Sequence, residues 1–431
     1  MNIDFDLVFY ILVAICGVSI VFLIFTSIYY LIFWSISAKP TPEVPHSNKK
    51  TKFAILVAAR NESKVISHLL DSLLFQTYPK KYYDVYVIVE SEDDPTIGIA
   101  TSKGFKYFVR DRLEDGRRTK GFALQECIDY LWRNNLNYDA YMIFDADNVV
   151  DPNFIEVMND LRQTGVQVGI GYRNFTNANT NWLTVGSAIM FSYMNQITSK
   201  GRSALFHKAT LMGTGYYVDV DIIKEAGGWI FTGMTEDIQL TSYCYYHDIY
   251  MSYYPLVCFY DEQSPEWKTV HNQQVRWLAG YFQSRKFLKG KGVQRDYHTK
   301  SMQQAMNYEF KAGIIPFIIF NVVSVLLAIA AIVFGVFSAL HGQDYQTGII
   351  FTVGGFQLSV LYMSFFVAAM LSILRNREYL HLTPKNTVIG MLTYIFFFYL
   401  FVPAYLDLVF HPNKAKTWKE TKHTGDTKDL K

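Results

Sequence analysis

The sequence predicts an α/β domain with a mostly parallel, doubly wound sheet, inserted between transmembrane and interfacial helices. From residue 52 to residue 265, short apolar runs of strand length alternate with segments of helical periodicity. That alternation is typical of parallel sheets covered by helices on both faces. Long apolar segments flank this region, and each exceeds the ~20 residues that cross a bilayer. The chain therefore combines a globular domain with membrane helices.

Composition separates the chain from soluble proteins and from nucleic-acid binders. Of its 431 residues, 50% are hydrophobic and only 18% are charged, fewer charges than soluble domains usually carry. The formal net charge is +2, so there is no overall basic field and we expect no nucleic-acid partner. The four cysteines are scattered without metal-ligand spacing, which favours buried thiols in a reducing compartment.

Four apolar segments are predicted to be membrane helices. The first, Leu7 to Trp34, is followed by lysines that favour the cytoplasmic side. The others cover residues 313–340, 347–374 and 387–410, and we expect no charge within them. These segments predict a multi-pass protein of the cell membrane with a cytoplasmic α/β domain. Four crossings would place the C-terminus outside, whereas its lysines favour the inside, so a re-entrant last segment containing Pro403 stays an alternative.

These features divide the chain into five parts. They are a membrane helix and linker at 1–51, the α/β domain at 52–265, interfacial amphipathic helices at 266–312, membrane helices at 313–410 and a polar tail at 411–431. Within the α/β domain, strands are predicted at 53–59, 86–89, 105–109, 141–144 and 167–172, and a strand or loop at 211–218. Helices are predicted to open at Arg60 and Thr235 and to cover 122–133, 182–197 and 266–288.

A pair of carboxylates follows the strand at 141–144. Asp145 and Asp147 stand two positions apart, and in extended backbone that spacing places both carboxylates on the same side. Open α/β sheets bind ligands at the carboxyl ends of their strands. Two neighbouring negative charges favour a cation beside them, and a divalent ion bridging to a diphosphate meets that need. A turn formed by Asp147 and Asn148 is the alternative.

Four motifs occur in order along the chain. They are Lys120-Gly121-x-Ala123-Leu124, Asp145-Ala146-Asp147, Thr235-Glu236-Asp237 and Gln273-x-x-Arg276-Trp277. With its flanking membrane segments, the chain resembles family 2 membrane glycosyltransferases, which include cellulose, chitin, hyaluronan and poly-N-acetylglucosamine synthases. The resemblance covers roughly residues 52–282. It implies a GT-A fold, a UDP-sugar donor, a Mg²⁺ or Mn²⁺ ion and inversion at the anomeric carbon.

The resemblance also implies which side chains bind the donor. The expected nucleotide-sugar-binding residues are Asn61, Glu62, Glu90, Lys120, Asp145, Gln273, Arg276 and Trp277, and the expected metal ligands are Asp145 and Asp147. Glu90 stands where the family usually has an aspartate against the uracil edge. Lys120 would neutralise a phosphate, and a solvated lysine at a helix start is the alternative. A helix start is likewise the alternative for Asn61 and Glu62.

Asp237 is the predicted general base, because attack on the anomeric carbon requires removal of a proton from the acceptor hydroxyl. The expected acceptor-binding residues are Gly213, Thr214, Gly215, Trp229, Glu236 and Trp277. For Trp229, a place in the core is an equal alternative. For Glu236 and Asp237, the alternative is a helix start capped by Thr235. The histidines His207, His247 and His271 have no metal spacing and are expected to be satisfied polar residues.

We expect a processive synthase that extends a β-linked polysaccharide from UDP-sugars and passes it through the membrane helices. A non-processive enzyme that glycosylates a membrane lipid is the first alternative, because some lipid glycosyltransferases share these motifs. A transporter or scaffold that only binds nucleotide is the second, and the expected lack of intramembrane charge disfavours it. Expected partners are the UDP-sugar, a polysaccharide or lipid-linked acceptor and membrane lipids. The sugar, accessory subunits and homo-oligomerisation stay open.

Overall fold

The computed structural model describes residues 5–113, 117–290, 315–340 and 344–411. The part of the predicted interfacial segment that follows residue 290, and the predicted polar tail after residue 411, lie outside that description. The described part contains an α/β domain with an eight-stranded sheet, preceded and followed by apolar helices.

Strands and helices alternate through the α/β domain, as predicted. The strands are β1 (Phe53–Ala58), β2 (Tyr83–Val89), β3 (Lys106–Val109), β4 (Ala140–Asp145), β5 (Val149–Val150), β6 (Val168–Phe175), β7 (Tyr216–Asp219) and β8 (Met251–Asp261). The helices of this domain are α2 (Ile66–Leu74), α3 (Thr96–Ser102), α4 (Lys120–Arg133), α5 (Phe154–Gln163), α6 (Trp182–Met194), α7 (Arg202–Phe206), α8 (Val220–Glu225) and α9 (Glu236–Tyr246). A 3₁₀ turn covers Lys80–Tyr82, and a π-helix covers Asn195–Gly201.

The remaining helices lie outside the α/β domain. They are α1 (Phe5–Ser37), α10 (Trp267–Gly290), α11 (Ile315–Leu340), α12 (Asp344–Arg375), α13 (Arg377–Leu380), α14 (Pro384–Tyr399) and α15 (Phe401–Phe410). Helix α10 contains the predicted amphipathic segment at 266–288 almost completely. It packs against α9 of the α/β domain and against α15, so it joins the domain to the apolar helices.

The sheet has the order β3-β2-β1-β4-β7-β6-β8-β5. Strands β3, β2, β1 and β4 are parallel, as is the β6–β8 pair, whereas β7 runs antiparallel to β4 and β6, and β5 to β8. The prediction of a mostly parallel sheet is confirmed. Ala58 at the end of β1 pairs with Ile88 of β2 and with Asp145 of β4. The residues that follow these three strands therefore meet at one edge of the sheet.

Apolar side chains anchor the central strands. Residues 53–57 of β1 and 140–144 of β4 are buried. Burial of each large apolar side chain contributes about 1.5–3 kcal/mol, so both strands are held firmly in the core. The polar residues that follow them are consequently fixed in position.

Helix α2 begins later than predicted. It starts at Ile66 instead of Arg60. Asn61 has a φ of 58°, in the left-handed region, and its N–H donates to Asp94 Oδ2 at 3.2 Å. This conformation interrupts a helix, so the first residues after β1 form a turn at the sheet edge.

Two further local predictions differ from the structure. The helix expected at 182–197 is α-helical only to Met194 and continues as the π-helix. Thr235 precedes α9, but its side chain makes no capping hydrogen bond. The hydroxyl is turned toward α10 instead, since a Cβ added to Gly280 would lie 2.3 Å from Thr235 Oγ1. Close packing of two helices therefore takes precedence over the cap.

Four helical segments among the described residues are long and apolar enough to cross a membrane. They are Ala14–Ser37, Ile319–Phe337, Phe351–Arg375 and Pro384–Phe410. These segments match the four predicted ones. The expectation that none carries a charge is wrong, because Asp407 lies in the last segment and pairs with His271 of α10. A lack of intramembrane charge therefore does not disfavour a transport role for that segment.

Candidate active site

The carboxyl edge of the parallel strands borders a cavity of about 490 Å³. Polar side chains that follow β1, β2 and β4 line it, among them Glu62, Glu90 and both acids of the D-x-D motif. Helices α6, α10 and α15 contribute apolar side chains. These are Met190, Phe191, Met194, Leu278, Tyr281 and Phe401. The cavity thus lies between the charged sheet edge and helices that include α10 and the apolar α15.

Lys120 is held among the acids of this cavity. Its ammonium lies 2.5 Å from Asp145 Oδ1 and 3.7 Å from Glu236 Oε1, and it donates to the Gly213 carbonyl at 2.8 Å. Lys120 opens α4, where the Thr119 side chain caps the helix. The lysine is therefore a built part of the site, and its alternative as a solvated lysine is wrong.

Gly121 explains why a glycine follows that lysine. A Cβ at this position would lie 2.2 Å from the Phe231 carbonyl oxygen. Only glycine allows the start of α4 to approach the backbone there so closely. The same close approach brings the Lys120 ammonium over the acids.

The D-x-D turn is fixed from behind by Thr214. The N–H of Asp145 donates to Thr214 Oγ1 at 2.9 Å and to Asn148 Oδ1 at 3.1 Å. Thr214 also donates to Asn148 and is fully buried. The prediction that Thr214 contacts the acceptor is therefore wrong, because its hydroxyl hydrogen-bonds Asp145 and Asn148 instead and so positions the carboxylate pair.

The glycines on either side of Thr214 differ in role. Gly213 lines the cavity with a φ of +87°, and a Cβ there would lie 3.9 Å from Asp145 Oδ2 and 4.0 Å from Asp237 Oδ2. Gly215 instead lies against the Phe259 ring and donates its N–H to Ile143 at 2.9 Å. The predicted acceptor contact of Gly215 is wrong, because this residue extends the sheet below the cavity.

Glu236 and Asp237 form the first turn of α9 and line the cavity. Both are buried. Burial raises the pKa of Glu236 to about 7, although Lys120 opposes the shift. Burial also raises the pKa of Asp237, opposed first by the Ile238 N–H and then by Lys120. Both carboxylates consequently hold a proton more readily than in water.

The Q-x-x-R-W motif faces the same cavity from α10. Gln273, Arg276 and Trp277 all line it. The Trp277 ring packs edge-on against Phe191, with centroids 5.8 Å apart. The D-x-D turn, the T-E-D turn and this motif therefore line one cavity, although the first and the last are more than 120 positions apart in the chain.

Glu90 is held by two arginines. Its Oε2 lies 2.9 Å from Arg60 Nε, and its Oε1 lies 3.3 Å from Arg110 Nη1. Arg110 is buried and also pairs with the buried Glu126 at 2.8 Å. Glu90 and Glu62 line the cavity, whereas Asn61 is exposed and lies outside its lining. The predicted donor contact of Asn61 therefore lacks support from the geometry.

Comparison with known proteins decides the family. A family model described as "Glycosyltransferase like family 2" matches residues 50–280, more than half of the chain. The chain belongs to this glycosyltransferase family. Its described fold is the GT-A-like α/β fold that the motifs imply.

Curated relatives of this chain are distant. The chain is 27% identical over 241 residues to the probable glycosyltransferase YdaM of Bacillus subtilis, covering 53% of this chain and 55% of that protein. It is 28% identical over 239 residues to the beta-monoglucosyldiacylglycerol synthase of Trichormus variabilis, covering 53% and 49%. The chain spans about half the length of the curated relatives it matches.

A solved structure shares the fold of this chain. It is the mannosyltransferase PcManGT from Pyrobaculum calidifontis in complex with GDP-Man and Mn²⁺. The TM-score is 0.56 at 15% sequence identity, and the alignment covers 84% of this chain and 99% of that one. At this identity the likeness shows the fold alone.

Trp229 is a core residue, so its predicted stacking on an acceptor sugar is wrong. The side chain is fully buried, its indole N–H donates to the Phe231 carbonyl at 3.1 Å, and its ring packs edge-on against the Phe231 ring. Because the residue follows two glycines in a turn, the sequence could not distinguish a buried from an exposed ring.

Arg173 is a residue of the site that the sequence did not reveal. Its guanidinium pairs with Asp261, donates to the Met212 carbonyl at 2.8 Å and lies 3.9 Å from the Phe191 ring centroid. It lines the cavity and offsets the charge of the nearby acids. A single arginine at the end of a strand forms no motif, and its partner Asp261 lies 88 positions away.

The cavity offers carboxylate oxygens that fit a divalent cation. Within the described residues, no group of three or more His, Cys, Asp or Glu has metal-holding geometry. The site does present two carboxylates, Asp145 and Asp147, and the Gly213 carbonyl accepts from the same Lys120 ammonium as Asp145 does. Mg²⁺ is commonly bound by one or two carboxylates together with substrate phosphates and waters. These residues would therefore hold Mg²⁺ or Mn²⁺ as part of a complex with the nucleotide.

Proposed function

We propose that this protein transfers a sugar from a UDP-sugar to an acceptor hydroxyl at the membrane surface, with inversion at the anomeric carbon. The observation that carries the proposal is the position of Gly213 between two acids. Asp145 Oδ2 and Asp237 Oδ2 lie 3.9 Å and 4.0 Å from the point where its Cβ would be. A diphosphate-binding carboxylate and a buried carboxylate suited to proton transfer thus border the same small space.

The donor half of the proposal uses the charged edge of the sheet. The Glu90 carboxylate, held by Arg60 and Arg110, is suited to accept the N–H of a uracil edge. A divalent ion on Asp145 and Asp147 would stabilise the charge that grows on the diphosphate. Lys120 lies beside the Asp145 carboxylate, where its ammonium can stabilise the leaving phosphate.

Asp237 is the proposed general base. The acceptor oxygen bonds to the anomeric carbon while the bond from that carbon to the phosphate oxygen breaks. The acceptor proton passes to Asp237, and the electron pair leaves with UDP. A raised pKa makes a carboxylate a more effective proton acceptor near neutral pH, and burial raises that of Asp237.

A membrane lipid or lipid-linked sugar is the acceptor class that the geometry supports best. Phe401 lies on α15, part of the last apolar segment, and still lines the cavity. Met194 and Tyr281 extend this apolar lining. An acceptor hydroxyl attached to a lipid could therefore reach Asp237 from the membrane side. The relative from Trichormus variabilis, named as a glucosyldiacylglycerol synthase, is consistent with this class.

A growing β-linked polysaccharide is the second candidate acceptor. Trp277 of the Q-x-x-R-W motif lines the cavity and offers a flat surface suited to a sugar ring. In that case synthesis would be processive and coupled to passage through the membrane helices. The catalytic domain would lie on the cytoplasmic side in both cases, because lysines follow the first apolar segment.

A donor and acceptor panel tests the proposal. The full-length protein in detergent or lipid nanodiscs is given UDP-glucose, UDP-N-acetylglucosamine or GDP-mannose with Mn²⁺, with and without diacylglycerol. We expect transfer from a UDP-sugar, stopped by a chelator, with a glycolipid product seen by mass spectrometry. Long oligosaccharides without added lipid would favour the second candidate. Intact UDP-sugars under every condition, beside an active control enzyme, would contradict the proposal.

A further inference from the structure

Arg375 and Lys200 lie near the ends of the first and third membrane segments. Arg375 is the last residue of α12, and its Nη2 donates to the carbonyl of Ser37, the last residue of α1, at 2.6 Å. The π-helix that contains Lys200 lies beside them. Gln196 of this helix donates to Asn376 Oδ1 at 3.1 Å. These hydrogen bonds connect the ends of two membrane segments to each other and to the π-helix.

Lys200 and Arg375 lack a counter-ion within the described part of the chain. Both side chains are partly buried, and neither forms an ion pair with a described carboxylate. Burial, and then the neighbouring Arg375, lower the pKa of Lys200 to about 8. Two like charges in a partly dehydrated place destabilise each other, and an anion between them would stabilise both.

Exposed apolar side chains lie next to these cations. Helix α7 follows the π-helix directly, and its Leu205 and Phe206 are 44% and 45% exposed. The Phe206 ring packs against Phe33 of α1, with centroids 6.4 Å apart. Phe33 lies four residues before the end of α1, so the exposed side chains are level with the end of a membrane segment. Such a pairing of cations with apolar side chains is typical of elements at a lipid interface.

We propose that Lys200 and Arg375 bind the headgroup phosphate of an anionic membrane lipid, whose acyl chains pass Leu205 and Phe206. A guanidinium and an ammonium are both suited to phosphate oxygens. The membrane supplies the ligand at the right depth, because both membrane segments end there. This lipid site is separate from the cavity at the sheet edge, so it does not depend on the proposed function.

Cation capping of helix ends is the competing explanation, and it accounts for only one of the two residues. Arg375 does satisfy the carbonyl of Ser37 through Nη2, and this leaves Nε and Nη1 to meet a phosphate. Lys200 makes no hydrogen bond to a described helix end. A role in anion binding therefore explains the lysine, which capping does not.

Lipid retention by the full-length protein tests this site. The protein is purified in mild detergent and incubated with phosphatidylglycerol or phosphatidylcholine, and bound lipid is counted by native mass spectrometry. We expect preferential retention of phosphatidylglycerol and a severalfold loss of it in Lys200→Gln. The matched control is Lys64→Gln, which removes the same charge from an exposed site in the α/β domain and should retain lipid as the wild type does.

Two further arms identify the source of the anion and exclude misfolding. Inorganic phosphate at millimolar excess should not displace the lipid, and Lys200→Arg should retain it. Circular dichroism and the melting temperature show whether Lys200→Gln remains folded. Equal phosphatidylglycerol retention by Lys200→Gln and Lys64→Gln would overturn the proposal, as would complete displacement by free phosphate.

Discussion

His271 Nε2 lies 3.3 Å from Asp407 Oδ2, joining the helix of the Q-x-x-R-W motif to the last apolar helix. Asp407 also lies 2.9 Å from His411 Nδ1. The two helices pack along each other, and α15 carries Phe401 into the lining of the cavity. A carboxylate in an otherwise apolar helix thus fixes the position of α10. The Q-x-x-R-W motif lies on α10, so its position in the cavity depends on this contact.

Asp407→Asn should loosen this contact. We expect a loss of about 1 kcal/mol of stability, because the pair is partly exposed and the amide can still accept a hydrogen bond from His271, and a severalfold lower kcat/KM. Asp407→Glu should recover part of both. The melting temperature and steady-state kinetics measure the effects. Leu406→Ala is the control, since Leu406 is 47% exposed on the same helix; equal losses in both variants would contradict a specific role for the carboxylate.

Gly213→Ala should lower activity more than it lowers stability. A φ of +87° costs about 1–2 kcal/mol for alanine, and the new methyl group would enter the space between Asp145 and Asp237. Gly227→Ala is the matched control, because Gly227 has a φ of +79° and no atom within 4 Å of its Cβ position. Both variants should melt earlier by similar amounts. Sugar transfer should fall at least about tenfold only in Gly213→Ala, and equal activities would contradict our placement of the acceptor.

Lys120→Gln should destabilise the metal-free protein. The ammonium offsets the charges of Asp145 and Glu236, and leaving buried charges unpaired costs about 3–5 kcal/mol; we expect less here because Asp145 is 40% exposed. Mn²⁺ with UDP should restore part of the lost melting temperature, since a cation replaces the ammonium. Lys103→Gln, which removes a peripheral lysine paired with Asp71, is the control. No recovery with Mn²⁺ and UDP would argue against a metal at these acids.

Glu236 should make the metal-free protein less stable as pH rises. A glutamate in the unfolded chain has a pKa of 4.5, and burial raises the pKa of Glu236 to about 7, with Lys120 opposing the shift. Between these values the folded protein binds a proton that the unfolded chain has released, so the free energy of unfolding decreases with rising pH. In Glu236→Gln this decrease should be smaller. Melting temperatures of both proteins from pH 5 to pH 8 test it, and parallel curves would contradict the assignment.

Continuous apolar runs in the sequence were sufficient to predict the central strands and the four apolar segments. Residues 53–57 and 141–144 are unbroken apolar runs, and their burial follows from composition alone. Asp145 could be placed at the ligand-binding edge because it follows such a strand. The antiparallel strand β7 was less evident, because small residues precede it and only Tyr216–Asp219 pair in the sheet.

Side-chain direction could not be predicted. Gly213, Thr214 and Gly215 are consecutive, yet only Gly213 lines the cavity, because the turn directs Thr214 toward Asn148. Arg173 joined the site through a long-range pair that leaves no sequence pattern. Such contacts depend on the register of β6 against β8, and that register is a property of the whole sheet.

The direct test of the account is Asp237→Asn, measured for both UDP binding and sugar transfer with Mn²⁺. The amide keeps the shape of the side chain but is a poor proton acceptor. We predict UDP affinity within about twofold of the wild type and a kcat lower by at least about 100-fold, the usual contribution of a general base. Asp221→Asn, on the exposed side of α8, should behave as the wild type. Transfer by Asp237→Asn at the wild-type rate would contradict the assignment of Asp237 as the base.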